Sequence, residues 1–71
     1  KFTPRMNSNS QPIAFGRGIR KVDVLVENFG GRPKGWTRKK TWDESGQEWH
    51  YYEHDGIGQV GVKPAGEPDP F

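Results

Sequence analysis

Two histidines, His50 and His54, stand four residues apart in the run Glu48-Trp49-His50-Tyr51-Tyr52-Glu53-His54. A basic run, Trp36-Thr37-Arg38-Lys39-Lys40-Thr41-Trp42, precedes it, and Asp43-Glu44-Ser45-Gly46 lies between the two. Imidazoles, a carboxylate, a phenol and several cations flanked by indoles suit one chemistry well, the internal transesterification of RNA. A base must take the proton of the 2′-hydroxyl, an acid must protonate the departing 5′-oxygen, and cations must hold the charge of the phosphorane. Histidine serves either proton transfer because it titrates near neutral pH. Lysine and arginine stabilise the developing charge, and Trp and Tyr offer flat surfaces to unpaired bases. In principle the reaction needs neither a metal nor a cofactor, and none is expected.

These groups act together only if the chain folds them onto one surface. Thr, Trp and Tyr on both flanks favour strands, and Asp-x-x-Gly suits a type I turn closed by a left-handed Gly46. The hairpin this predicts pairs Asp43 with Gln47. Trp42 then faces Glu48, Lys40 faces His50, Arg38 faces Tyr52 and Trp36 faces His54. Alternation of side chains puts Trp36, Arg38, Lys40, Trp42, Glu48, His50, Tyr52 and His54 on one side of the sheet. Thr37, Lys39, Thr41, Trp49, Tyr51 and Glu53 take the other. Burying unpaired charges is costly, so the Trp49/Tyr51 side is expected to face the core, against the segment Val22–Phe29.

In this reading His50 or Glu48 is the base, His54 the acid, and Lys40 and Arg38 clamp the phosphorane. Tyr52 orients a proton or stacks on a base. Lys34, Arg38, Lys39, Trp36 and Trp42 contact RNA. The plainer alternative is that hairpin aromatics are core or cross-strand pairs. A metal site is the weaker reading. On a helix, His50 and His54 would converge on one ion, but in a strand they lie about 13 Å apart at ~3.3 Å per residue.

The remaining elements follow from periodicity. Val22, Leu25, Val26 and Phe29 mark one face of a short helix, ended by Gly30-Gly31 and followed by Pro33. A strand alternating at Val22, Val24 and Val26 is the competing reading. Ile13–Phe15 is a short extended piece or a loop, and Gly16-x-Gly18 is too sparse to argue for a phosphate cradle. Asp55-Gly56 signals a turn into a third strand over Ile57–Lys63. The proline-rich tail after Lys63 should be irregular, with Phe71 anchoring its end. Residues 1–12, polar and without periodicity, read as a linker or flexible arm, and residues 13–71 as a single domain. The fold class expected is α+β: a small twisted antiparallel sheet of three or more strands with one short helix.

Composition bounds the rest. With 71 residues and an apolar fraction of 30%, the chain can form one domain with a thin core, in which nine aromatic residues must supply much of the buried area. Absence of cysteine excludes disulfides and thiolate metal sites, and no apolar run resembles a membrane span or signal peptide. Charge is divided: residues 1–40 carry ten Lys and Arg against two acids, net +8, and residues 41–71 carry one Lys against seven acids, net −6. The basic half suits a phosphate backbone. The acidic half either neutralises it across strands or supplies carboxylates for acid–base work.

The stretch from Lys34 to Lys63 also resembles C-terminal toxin domains of bacterial polymorphic toxins, including those of contact-dependent growth-inhibition proteins. The likeness rests on Gly35-Trp36, Trp42-Asp43-x-x-Gly46, Trp49-His50-Tyr51-Tyr52-Glu53-His54 and Gly58-x-x-Gly61-Val62-Lys63, and spans about the last half of the chain. It implies a ribonuclease acting on tRNA or ribosomal RNA, carried as the tip of a larger secreted or cell-surface protein into the cytoplasm of a competing bacterium. A cognate immunity protein would protect the producer. The rRNA-cleaving colicins use a similar small twisted sheet, but their Asp, His and Glu set does not align here. The alternative is a non-enzymatic module that holds RNA or a protein on the same basic aromatic hairpin.

Overall fold

The turn after Trp42 sets the register of the sheet. Asp43 N donates to Gln47 O at 3.0 Å and Gly46 N to Asp43 O at 3.0 Å, with Gly46 at φ 88°, where only glycine is unstrained. The Asp43 carboxylate then accepts from Ser45 N (2.9 Å), Ser45 Oγ (2.7 Å), Gln47 N (3.0 Å) and Trp49 Nε1 (3.0 Å). β2 (Trp36–Trp42) and β3 (Glu48–His54) therefore pair as the sequence predicts, from Trp36 opposite His54 to Trp42 opposite Glu48.

The computed structural model describes residues 2–71. Its sheet has four antiparallel strands in the order β1-β2-β3-β4, with β1 at Gln11–Phe15 and β4 at Gly58–Pro64. The connection from β1 to β2 runs through a 3-10 turn (Gly16–Gly18), helix α2 (Val22–Phe29) and a second 3-10 turn (Pro33–Gly35). The α+β class is thus observed, and α2 has the expected bounds. Gly30 closes it with φ 91° and its N–H on Val26 O.

Two features depart from the sequence expectations. Within residues 1–12, expected as a linker or flexible arm, residues 4–8 form helix α1 (Pro4–Ser8) and Gln11 and Pro12 begin strand β1, whose Ile13–Phe15 part takes the extended form that was one of the two alternatives. Thr3 caps α1 by accepting from Met6 N at 3.2 Å, and Pro4 occupies its first turn, the preferred residue types there. Secondly, α2 packs on the opposite side of the sheet from the one expected. Ile19, Val22 and Leu25 bury Trp36 and Tyr52, with Ala14, Val26, Val60 and Phe71 at the edges of this core. The Trp49/Tyr51 side is covered by α1 instead. Met6 and Tyr51 are buried there, the Phe2 ring meets Tyr51 edge-on at 5.0 Å, and Met6 O accepts from the buried Thr41 hydroxyl and from Ser10 Oγ.

The physical reason is that each side of the sheet is mixed. Trp36 and Tyr52 bring large apolar rings to the charged side, and α2 covers that half alone, leaving Arg38, Lys40, Glu48 and His50 at its margin. The tail returns across the same side. Phe71 packs against Phe29 (5.3 Å between centroids) and Tyr52 (6.0 Å), above Gly61, where a Cβ would come within 2.7 Å of its ring. Among the described residues no helix is long and apolar enough to cross a membrane.

Candidate active site

Beyond the edge of α2, three side chains form a hydrogen-bonded series. Glu48 Oε2 lies 2.7 Å from His50 Nε2, and Arg38 Nη2 lies 3.3 Å from His50 Nδ1. A carboxylate accepts and a guanidinium donates, so the partners assign the proton to Nε2 and leave the Nδ1 lone pair facing Arg38. His50 is held between the strands, its side chain 16% exposed, whereas Glu48 is 38% exposed. Its neighbours across the sheet are Lys40 on β2 and Lys63 on β4. Directly opposite residues of this kind bring their Cβ atoms to about 4.5–5.5 Å. The Lys40 ammonium lies 5.7 Å from the Trp42 ring centroid, within cation–π range.

A cavity of about 260 Å³ adjoins this series, with Arg38, Arg20, Lys21, Lys63, Tyr52 and Asp69 in its wall. Asp69 is the only carboxylate there, and its side chain is 5% exposed. Lys63 Nζ lies 2.9 Å from Oδ1 and Lys21 Nζ 3.1 Å from Oδ2, and the Tyr52 hydroxyl donates to Oδ2 at 3.1 Å. Burial pushes the Asp69 carboxyl up, but the hydrogen bonds from Lys63, Lys21 and Tyr52 and the charge of Lys63 outweigh it and hold it below its ordinary value. Burial raises the Tyr52 phenol, and the neighbouring Asp69 charge and hydrogen bond raise it further. Tyr52 is thus a buried donor to Asp69 rather than a free proton-transfer group.

His54 is separated from His50. Its ring packs edge-on to Trp36 at 5.2 Å between centroids, and Nδ1 accepts from Gly56 N at 3.3 Å. Its other edge rests on Gly31 and Gly35. A Cβ at Gly31 would lie 2.6 Å from His54 Nε2, and one at Gly35 closer still. Trp36 is fully buried and donates Nε1–H to Gly30 O at 3.0 Å, so its indole is a core ring and not an open stacking surface. Lys39 points to the α1 side. It pairs with Glu53 at 2.7 Å, and that hydrogen bond raises its pKa despite the opposing effect of burial. Lys34 is exposed in the second 3-10 turn. Of the residues singled out from sequence, the structure gathers Arg38, Lys40, Glu48 and His50, with Trp42 beside them. It places His54, Trp36, Lys39 and Lys34 elsewhere.

Sequence reasoning passed over Arg20, Lys21, Lys63 and Asp69 as site residues. Lys63 carried one signal, being the single cation in the acidic half of the chain. Asp69, between two prolines in the tail, carried none. Another concavity, about 480 Å³ between Thr3–Arg5 and Asp43–Ser45, is no better candidate, since the Asp43 carboxylate there is committed to four hydrogen bonds within its own hairpin. Among the described residues no group of three or more His, Asp or Glu is placed to hold a metal ion.

Comparison of the chain with protein-family models, curated proteins and solved structures gives no match.

Proposed function

We propose that the chain is an RNA-cleaving domain that uses acid–base transesterification, with His50 at its centre. The observation that supports this reading is the Glu48–His50–Arg38 series flanked by Lys40 and Lys63. Glu48 fixes the imidazole with Nε2–H toward the carboxylate, so Nδ1 is the atom that accepts the 2′-hydroxyl proton. Arg38, already beside Nδ1, turns to the phosphate when RNA enters. The 2′-oxygen attacks phosphorus, the bond from phosphorus to the 5′-oxygen breaks, and Lys40 supplies the proton to that oxygen. The products are a 2′,3′-cyclic phosphate and a 5′-hydroxyl, and His50 and Lys40 exchange protons with water to return to the starting state. Arg38 opposes the phosphorane charge.

This assignment differs from the sequence reading at three residues: His54 is no longer the acid, Lys40 passes from clamp to acid, and Tyr52, which donates to Asp69, has no part in the proton transfers. His54 sits about 13 Å along the strand from His50, at ~3.3 Å per residue, too far to serve the same phosphate, so Lys40 takes its place as acid. The resemblance to polymorphic-toxin termini extends the proposal to a toxin domain of a larger delivery protein, directed at tRNA or ribosomal RNA and blocked by an immunity protein.

The test incubates the purified chain with total tRNA and with ribosomes in EDTA. The expected result is cleavage leaving a 2′,3′-cyclic phosphate, abolished by His50→Ala and retained by His54→Ala. Binding without cleavage would replace the enzyme with an RNA-holding module. Cleavage only after addition of a divalent ion would replace the metal-free route.

A further inference from the structure

A second cationic cavity lies outside the site just described. It measures about 370 Å³ and is lined by Arg17, Arg32, Pro33 and Lys34, with no carboxylate in its wall. Its cations stand on turns that are clamped together. Gly16 is buried at φ +50°, and a Cβ there would come within 3.3 Å of the Lys34 Cα and 3.6 Å of Pro33 O. Each turn is closed by its own backbone bond, Ile19 N to Gly16 O and Gly35 N to Arg32 O, both 2.9 Å. The cleft between Arg17 and the Arg32–Lys34 turn is therefore a fixed feature of the backbone.

The two cavities also differ in how their charge is used. In the inner cavity Lys21 and Lys63 are already tied to Asp69. In the outer one, among the described residues, Arg32 and Lys34 form no ion pair, and Arg17 meets Asp23 only at 3.7 Å, with the two side chains 75% and 88% exposed. Such a contact is worth little in water. Three neighbouring cations without a fixed counterion repel one another, and an external anion relieves that repulsion. One short segment joins the cavities: Arg17 lines the outer, and Ile19, Arg20 and Lys21 line the inner. Arg20 lies three positions after Arg17, so their Cα atoms are at most about 11 Å apart. A flexible strand of a few nucleotides covers that span.

We infer that the Arg17/Arg32/Lys34 cleft is a second phosphate subsite, which holds the backbone of single-stranded RNA running on from the His50 site. The inference rests on the proposed RNA-cleaving role and adds to it a substrate class, a single strand several nucleotides long.

The experiment measures binding of fluorescein-labelled 2′-O-methyl oligouridylates of two and ten nucleotides to the intact chain by anisotropy across a salt series. These probes lack the 2′-hydroxyl, so binding is read whether or not the chain cleaves RNA. The ten-mer is expected to bind at least about tenfold more tightly than the dimer at low salt, with a log–log salt slope near −0.7 per phosphate engaged. Arg32→Gln is expected to lower the ten-mer slope by about 0.7, and Arg17→Gln with Arg32→Gln and Lys34→Gln by about 2. Arg5→Gln, which removes the same charge from helix α1, is expected to leave the slope unchanged. Equal slopes for Arg32→Gln and Arg5→Gln would reduce the effect to diffuse net charge and overturn the subsite, as would equal binding of dimer and ten-mer. Failure of the nuclease reading appears separately, as intact tRNA and ribosomal RNA in the cleavage assay.

Discussion

The two ends of β3 carry the same residue type on the same side of the sheet, yet they are built for different purposes. At the His54 end, α2 and the second 3-10 turn close over the strand. Trp36 lies under the helix, and the imidazole fits against two glycines whose missing side chains make room for it. At the His50 end the helix has already passed, and the ring is held by side chains that carry charge, Glu48 on one nitrogen and Arg38 on the other. One histidine is a packing element with its hydrogen-bonding capacity turned to the backbone, and the other is oriented by polar partners beside a cationic cavity. Strand alternation decides which residues share a side of a sheet. Only the helix laid across that side decides which of them, Trp36 and Tyr52, join the core.

The comparison can be broken most decisively at the core end. Trp36→Ala is expected to lower stability by about 3–5 kcal/mol, the usual cost of emptying a buried large aromatic, and in so small a domain to unfold much of the population. Denaturant titration followed by Tyr and Trp fluorescence reads this directly, and a loss under about 1 kcal/mol would mean that α2 does not depend on the indole. Next in size is the contrast between the histidines. His50→Ala is expected to cut RNA cleavage by about 100-fold or more with little change in the unfolding midpoint. His54→Ala should cost about 1–2 kcal/mol of stability, as is common for loss of a well-packed side chain, while cleavage per folded molecule persists. The reverse pattern would exchange the roles of the two ends.

The smallest expected effect lies in the turn that sets the register for both ends. Hydrogen bonds from Ser45 and Trp49 hold the Asp43 carboxyl down to about 2, against a small opposing effect of burial, with the Gln47 and Ser45 amides adding to them. A carboxyl lowered in the folded state stabilises the fold at pH above its ordinary value of 3.8, and that contribution fades as pH falls toward about 2. Asp69 acts in the same direction. Asp43→Asn is therefore expected to flatten the loss of stability between pH 4 and 2, measured by thermal melts across that range. An unchanged acid limb would leave Asp69 and the other carboxylates as its source.

The hairpin was legible because its determinants are local. Asp43 and Gly46 specify the turn, the turn specifies which residues are opposite, and a period of two then assigns sides without reference to anything distant. Helix α2 was legible for a similar reason, since four apolar residues at helical spacing and a pair of glycines mark both its face and its end. Helix α1 did carry a local signal in Thr3-Pro4, but with Met6 as its only buried residue it has no apolar stripe to read.

The sequence by itself determined the turns, the pairing of β2 with β3 and the set of groups available on each side of the sheet, because those follow from backbone preferences over a few residues. Tertiary structure alone decided that α2 covers Trp36 and Tyr52, that α1 covers Tyr51, and that Asp69 returns from the tail to meet Lys21 and Lys63. Both sides of the hairpin offer aromatic area, so propensity and pattern do not rank them. The choice depends on packing between segments far apart in the chain, and it gives His50 and His54 their different neighbours, although the separation of about 13 Å between them already follows from strand rise.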